Sequence, residues 1–554
     1  MKAFSSIPEK SCPAELKSIS NDLVQKCEGL PLGIVTLGAV MSAKILEKSE
    51  WGRVYNSLSW ELRTNPLLEV VKSILLLSFK DLPYRLKYCF LYCCIFPEAY
   101  VIQRSRLVRL WIAEGLVEQV KGHSLEETAE SYLMELIYRS MLQVVERHSN
   151  GRPKACKMHD LLREVAISIS EEEKFCTIVT EQEVAKETRV RRLSLQALNG
   201  QISSKDLSKV RTFFVFLPKV IPSSFISLPS GFRMLTVLDF KDVPIVELPE
   251  EVAYCFNLRY LNLKGTKLKA LPRSIGKLRS LQTLDIRNTG NLKFEYVSGT
   301  WAPLDACEFK NLQVLDCVEV ESEVLLRGLK HTTQLKRLGL TKVREAYGND
   351  LCNSIERMKL LRYLFVMTID EDELLQMDAL LSPPPFLDTL FLIGKLEKLP
   401  GWFHSLHSIT CIRLHWSRLK EDFLPSVQAL PNLARLFLIN AYSGTKLHFR
   451  SGFQKLSYLE LRFLPQLKEI TIEKGVMPCI QELDIESCVE LKILPSGIEH
   501  LSSLQELSLW SMTTEFLKCI RGEQAVDRNK VKHISKIGHY SETQSGSWSY
   551  EPLS

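Results

Sequence analysis

From about residue 190 onward, one spacing of apolar positions returns: Leu-x-x-Leu-x-Leu. It reads Leu235-Leu238-Phe240, Leu258-Leu261-Leu263, Leu281-Leu284-Ile286, Leu312-Leu315-Cys317 and Leu335-Leu338-Leu340. It continues through Leu361-Leu364-Val366, Leu387-Leu390-Leu392, Ile409-Ile412-Leu414, Leu433-Leu436-Leu438 and Leu456-Leu459-Leu461. Ile480-Leu483-Ile485 and Leu504-Leu507-Leu509 close the series, and Val190-Leu193-Leu195 and Val210-Phe213-Val215 read as weaker first copies. Successive starts lie mostly 22 to 26 residues apart, inside the window of about 20–29 for a leucine-rich repeat. Side chains alternate across a strand, so the fourth and sixth positions of each copy point to one side. One copy cannot bury those leucines alone, whereas stacked copies can. The pattern therefore predicts an α/β leucine-rich-repeat solenoid, a parallel β horseshoe.

Ahead of the repeats the apolar spacing is helical. Leu16, Ile19, Leu23 and Val24 predict one helix and the run from Gly33 to about Leu46 a second, with Gly29 able to end the first and Pro31 suited to open the next. Trp51, Val54, Leu58 and Leu62 form the stripe of a further short helix. Residues 70–80, 83–94, Arg106 to Val117 and Leu125 to Met141 read as helices, and Leu142 to Val145 faces Ala155 to Met158 across the turn pair Asn150-Gly151. A last helix follows His159-Asp160, with Asp160 expected as its cap. Helices followed by a small hairpin predict a winged helix. Arg104, Arg106 and Arg109 on it invite a nucleic-acid reading, but Leu107, Leu110, Trp111 and Ile112 share that helix and favour packing instead.

The third, fifth and seventh positions of each repeat are expected to face outward. Early copies carry charges of opposite sign (Asp239, Lys241, Asp285, Arg287) that can pair side by side. Middle copies carry Tyr363, Phe365, Met367, Phe391, Ile393, Phe437 and Tyr458, flanked by Arg413, Arg435 and Arg462. A contiguous apolar patch of rings and arginines has the composition of a protein-binding surface, and these ten residues are the predicted partner-binding site.

The formal net charge of +6 is small for 554 residues and selects no anionic partner. Fifteen scattered cysteines, some at inward repeat positions such as Cys317, point to free thiols in a reducing compartment. Met1 to Ser6 leads into no apolar stretch, no run is long enough to span a bilayer, and there is no Asn-x-Ser/Thr. The expectation is a cytoplasmic chain, free or peripheral at the plasma membrane, with no integral membrane segment. Histidine and cysteine spacings suggest no metal site, and no nucleophile–base constellation makes the chain an enzyme.

Gly29-Leu30-Pro31-Leu32, the run Cys89 to Pro97 and Met158-His159-Asp160 occur in that order before the repeats. On these motifs the chain resembles plant intracellular NB-LRR (NB-ARC and leucine-rich repeat) disease-resistance proteins of the coiled-coil subclass, in an N-terminally truncated form. The resemblance implies an ADP/ATP switch acting in defence, with Pro31 against the adenine nucleotide and His159 reaching its phosphate. It also implies a pathogen effector or guarded host protein as partner, a contact with an NB-ARC region in the same or another chain, and no nucleic acid. The family's Gly-x-x-x-x-Gly-Lys-Ser/Thr phosphate loop does not occur in this sequence. A repeat scaffold or adaptor that binds protein without nucleotide is the alternative. The expected division is 1–66 as a helical remnant of the NB-ARC region and 67–170 as a winged-helix domain. A linker at 171–189, repeats at 190–540 and a flexible tail at 541–554 complete it.

Overall fold

The computed structural model describes residues 12–26, 31–42, 44–56, 69–147, 151–180, 191–196, 208–216, 232–268, 270–287, 300–301, 310–420, 423–521, 527–542 and 548–553. Cys27, Gly29, Leu30, Leu58, Leu62 and Val190 lie outside them. Two compact units divide the chain: Met1–Val243 with Cys255–Leu261, and Pro244–Tyr254 with Asn262–Ser554.

The first unit begins with the helices Lys17–Lys26, Pro31–Ser42 and Lys48–Asn56. Leu16, Leu23, Leu37, Val40, Trp51 and Val54 are buried together there, so the helical spacing becomes one apolar cluster. Pro31 opens its helix as expected, because its fixed φ suits a first turn. The helix Tyr84–Cys93 follows, then Arg104–Glu114, which stops at Gly115 with φ +76, a left-handed conformation cheap only for glycine. Ser124 and Glu127 cap the helix Leu125–Tyr138 reciprocally. The strands Gln143–Arg147 and Pro153–Lys157 form the antiparallel wing, and Ile102–Gln103 pairs with the second of them.

Asp160 is not the cap of the last helix. It is the first residue of Asp160–Glu172, and His159 caps it, with Nδ1 accepting the Leu161 N–H at 3.1 Å. An imidazole nitrogen does here what a carboxylate was expected to do.

The expected linker 171–189 contains structure. Thr177–Val179 is a strand parallel to Arg192–Leu195, and Thr212–Val215 and Val237–Asp239 follow in parallel. These first strands belong to the same compact unit as the winged helix. The reason is shared burial: Phe214, Val237 and Tyr260 complete the core formed by Phe90, Phe96, Leu107 and Trp111. Two buried ion pairs add to it, Arg106 to Asp239 at 2.8 Å and Arg192 to Glu114 at 2.7 Å. Asp239 therefore pairs with the winged helix, and Lys241 reaches the Tyr100 hydroxyl at 3.2 Å. Arg106, a candidate for reading DNA, is spent inside the protein, and Arg104 meets Glu130 at 3.1 Å.

The second unit is a stack of parallel strands: Val314–Glu319, Arg337–Val343, Tyr363–Thr368, Thr389–Ile393, Cys411–His415, Arg435–Ile439, Tyr458–Arg462, Glu482–Glu486 and Glu506–Trp510. From Tyr363 onward they pair without a register slip. Their leucines at the fourth and sixth positions are buried on one side, each contributing roughly 1.5–3 kcal/mol. Directly after successive strands, Trp416, Asn440, Phe463, Ser487 and Ser511 take φ between +46 and +58. The same left-handed step in each repeat turns the chain off the sheet, at a cost that these non-glycine residues bear.

Cys317 departs from the expected inward position. It has φ +63, and the pairing of Val314–Glu319 with the next strand shifts between Leu315 and Val318. The irregular strand places Cys317 with Phe365 and Ile393 in a separate apolar cluster. A side chain at Gly339 would come within 2.8 Å of the Cys317 amide, so glycine is required beside this bulge.

The tail at 541–554 is not loose over its described part. Lys536–Glu542 and Trp548–Pro552 pair antiparallel, and Trp510 stacks on Tyr540 at 3.9 Å with Trp548 edge-on at 5.2 Å. These three rings cover the last repeat edge, which would otherwise be an exposed sheet end.

Candidate protein-recognition face

All ten predicted partner-binding residues lie on five adjacent strands, Tyr363–Thr368 through Tyr458–Arg462. Because the pairing is in register, one fifth position sits beside the next: Phe365, Phe391, Arg413, Phe437 and Glu460 form a row. The seventh positions Met367, Ile393, His415, Ile439 and Arg462 form a second row. The period of two in a strand turns a repeated sequence position into a surface.

Rings and guanidinium groups alternate along this face. Arg337 lies 3.3 Å from the Tyr363 ring centre, and Tyr363 meets Phe391 edge-on at 5.5 Å. Arg413 lies between Phe391 at 5.1 Å and Phe437 at 4.5 Å, and Phe437 contacts Tyr458 at 5.1 Å. Each such contact contributes about 0.5–2 kcal/mol.

Phe365 and Ile393 do not stand outward as expected. They are 4% and 3% exposed, packed with Cys317. Gly339 beside Phe365 carries no side chain, so the ring settles against its neighbours. Tyr363, Met367, Phe391, Arg413, Arg435, Phe437, Tyr458 and Arg462 are half-buried. The solvent-facing part of the patch therefore begins at Phe391 and Met367 and runs toward Tyr458.

Charges border this face on both sides. Asp285, Arg287, Asp316 and Arg337 pair side by side, with Arg287 at 2.6 Å from Asp285 and 3.3 Å from Asp316. This is the pairing that opposite-sign columns suggested. Toward the other end, the Tyr458 hydroxyl lies 2.6 Å from Asp484 and 2.9 Å from Glu460. Burial, with Glu460, Glu482 and Glu506 nearby, pushes the Asp484 carboxyl up to about 6. Burial and then the charges of Arg413 and Arg462 hold the His415 ring down to about 4.

His415, Trp416 and Asp484 belong to this neighbourhood but are absent from the predicted site. His415 and Asp484 occupy the seventh and fifth positions of their repeats, so the same periodicity locates them. Trp416 lies beyond the strand and is brought in by its left-handed turn, which the pattern does not encode.

Of the two residues implied for a nucleotide, His159 alone has a described side chain. Pro31 starts its helix, but its side chain lies outside the described residues. His159 is nearly buried and its Nδ1 is occupied by Leu161, which leaves the ring proton on Nε2. A single imidazole that caps its own helix does not fit the demands of a di- or triphosphate, which needs a cradle of amides and a lysine.

Comparison with known families gives two matches. Residues 209–528 match the model of a leucine-rich repeat region, and residues 95–166 match a disease resistance protein winged helix domain. Among curated proteins, the chain is 40% identical to "Disease resistance protein RPM1" of Arabidopsis thaliana, over 99% of this chain and 62% of that protein. It is 28% identical to "Disease resistance protein RPP8" of the same plant, over 94% of this chain and 61% of that protein. Identity to "Disease resistance protein Pik-2" of Oryza sativa subsp. japonica is 27%, over 90% of this chain and 57% of that protein. The chain thus spans about three fifths of the length of these relatives.

Proposed function

Because the chain belongs to the leucine-rich-repeat family and, within it, to the plant disease-resistance proteins, we propose that it is the recognition part of an intracellular plant immune receptor. The face from Phe391 to Tyr458 would capture a polypeptide, either a pathogen effector or a host protein that an effector alters. What supports this reading is the alternating file of half-buried rings and arginines across adjacent strands. Aromatic and arginine anchors of this kind dominate binding energy at protein interfaces. No helix among the described residues is long and apolar enough to cross a membrane, and the cytoplasm is the proposed location.

The chain is proposed to act by binding and not to hold ADP or ATP by itself, since its sequence carries no Gly-x-x-x-x-Gly-Lys-Ser/Thr loop to cradle phosphates. Acid extraction of the purified protein followed by nucleotide chromatography tests this. Substoichiometric nucleotide is expected, and one ADP per chain overturns it.

Recognition is tested by displaying secreted proteins of plant pathogens against the immobilised chain and its Phe391→Ala/Phe437→Ala variant. At least one binder of the parent chain is expected to lose about tenfold or more in affinity. If every binder holds equally to both chains, the face is not the recognition surface.

A further inference from the structure

Arginines on the open sheet face of the second unit fall into two groups. Arg287 and Arg337 share Asp316 between them. Arg462 reaches Glu486 at 2.5 Å and Glu460 at 3.4 Å. Between these pairs stand Arg413 and Arg435, and neither has a carboxylate within ion-pair distance among the described residues.

Arg413 is the sharper case. Its neighbours in register are Phe391 on one side and Phe437 on the other, where a chain meant to pair its own charges would carry Asp or Glu. The guanidinium lies against both rings, and its Nε is buried with no hydrogen-bond partner among the described residues. A donor left so is costly, and an incoming acceptor recovers that cost. The next outward residue on the strand, His415, is held neutral and brings no charge. Nearby carboxylates are occupied: Glu460 and Asp484 flank the Tyr458 hydroxyl, Glu486 faces Arg462, and Asp388, which feels the charge of Arg435 from beyond ion-pair distance, accepts from the Thr389 hydroxyl.

A half-buried positive charge flanked by rings, with no carboxylate in ion-pair range among the described residues, calls for an external one. We propose that Arg413 takes the carboxylate of an aspartate or glutamate from a partner polypeptide whose adjoining apolar side chain packs on Phe391 and Phe437. Arg435, at the third position one strand further on, adds a second positive charge on the same side, shared in part with Asp388. The partner is thus an acidic segment with an aromatic or aliphatic neighbour. Charge-assisted hydrogen bonds in a ring-lined setting strengthen relative to water. This deepens the recognition reading above and rests on it.

The test uses the full chain and a phage library of random dodecapeptides. Peptides that bind the parent chain but not Phe391→Ala/Phe437→Ala are those seated on this face. They are expected to be enriched in Asp or Glu next to an apolar residue. Synthetic versions should lose about tenfold in affinity when that acid becomes its amide, and about as much on Arg413→Met. In Arg413→Met the acid-to-amide change should no longer matter, and Arg413→Lys should restore only part of the affinity. Thermal melts of Arg413→Met are expected to show a folded chain with a modestly lowered midpoint, since the contacts with Phe391 and Phe437 are lost but no carboxylate is left without its cation. Face-dependent peptides without acidic enrichment, or with equal affinity for Arg413→Met, overturn the proposal while leaving the recognition reading intact. If no peptide depends on Phe391 and Phe437, the recognition reading itself falls, and the proposal with it.

Discussion

Arg106 and Asp239 are separated by 133 residues and meet through two hydrogen bonds, Nε and Nη2 of the arginine donating to one carboxylate oxygen at 3.0 and 2.8 Å. Their side chains are 9% and 1% exposed. The pair ties the winged-helix segment to the first parallel strands inside one compact unit.

Removing one partner leaves the other charged and buried. Asp239→Ala is expected to destabilise the first unit by about 3–5 kcal/mol. Arg106→Met combined with Asp239→Ala should recover most of that loss. Urea unfolding of both single variants, the double variant and the parent chain checks both values, and a double loss equal to the sum of the single losses would mean the pair is not coupled.

Phe365 and Phe391 share a column but differ in burial. Phe365→Ala removes a covered ring and is expected to cost about 3–5 kcal/mol. Phe391→Ala is expected to cost about 1 kcal/mol, so its effect on binding can be read without unfolding. Thermal melts of the two variants check this order.

Much of this was legible in the residues. The Leu-x-x-Leu-x-Leu spacing gives the strands, and its odd positions gather Tyr363, Phe391, Arg413, Phe437 and Tyr458 onto one face. Burial of Phe365 was not legible, because it depends on Gly339 and on the bulge that delivers Cys317. The membership of strands Arg192–Leu195 to Val237–Asp239 in the winged-helix unit was hidden as well. Leu-x-x-Leu periodicity shows which side chains turn inward along a strand, and it says nothing of Arg106 or Phe96 approaching from elsewhere in the chain. His159 capping its own helix was missed for a simpler reason: Asp is the commoner cap, and the two residues are adjacent.

His415 supplies a pH dependence. Its folded value of about 4 lies below the ordinary 6.5. Between these values the unfolded chain binds the proton and the folded chain does not, so stability rises with pH across that window. His415→Leu should flatten this limb, with a difference on the order of 2 kcal/mol between pH 6.5 and 4. Asp484, raised to about 6, works oppositely: it favours the folded state as pH falls from about 6 toward 4, so the variant is to be compared with the parent at each pH. Denaturant midpoints as a function of pH check the flattening.

The last sheet edge depends on rings. A side chain at Gly538 would come within 2.5 Å of Tyr550. Gly538→Ala is therefore expected to unseat Trp548–Pro552 and speed amide exchange there, while the strands from Tyr363 to Tyr458 keep their protection.

Hydrogen–deuterium exchange of the full chain, with and without a captured polypeptide, tests the central claim most directly. Recognition through the inner strands predicts new protection at Thr389–Ile393, Cys411–His415 and Arg435–Ile439. Protection confined to the winged helix, or to the return segments between strands, would contradict it.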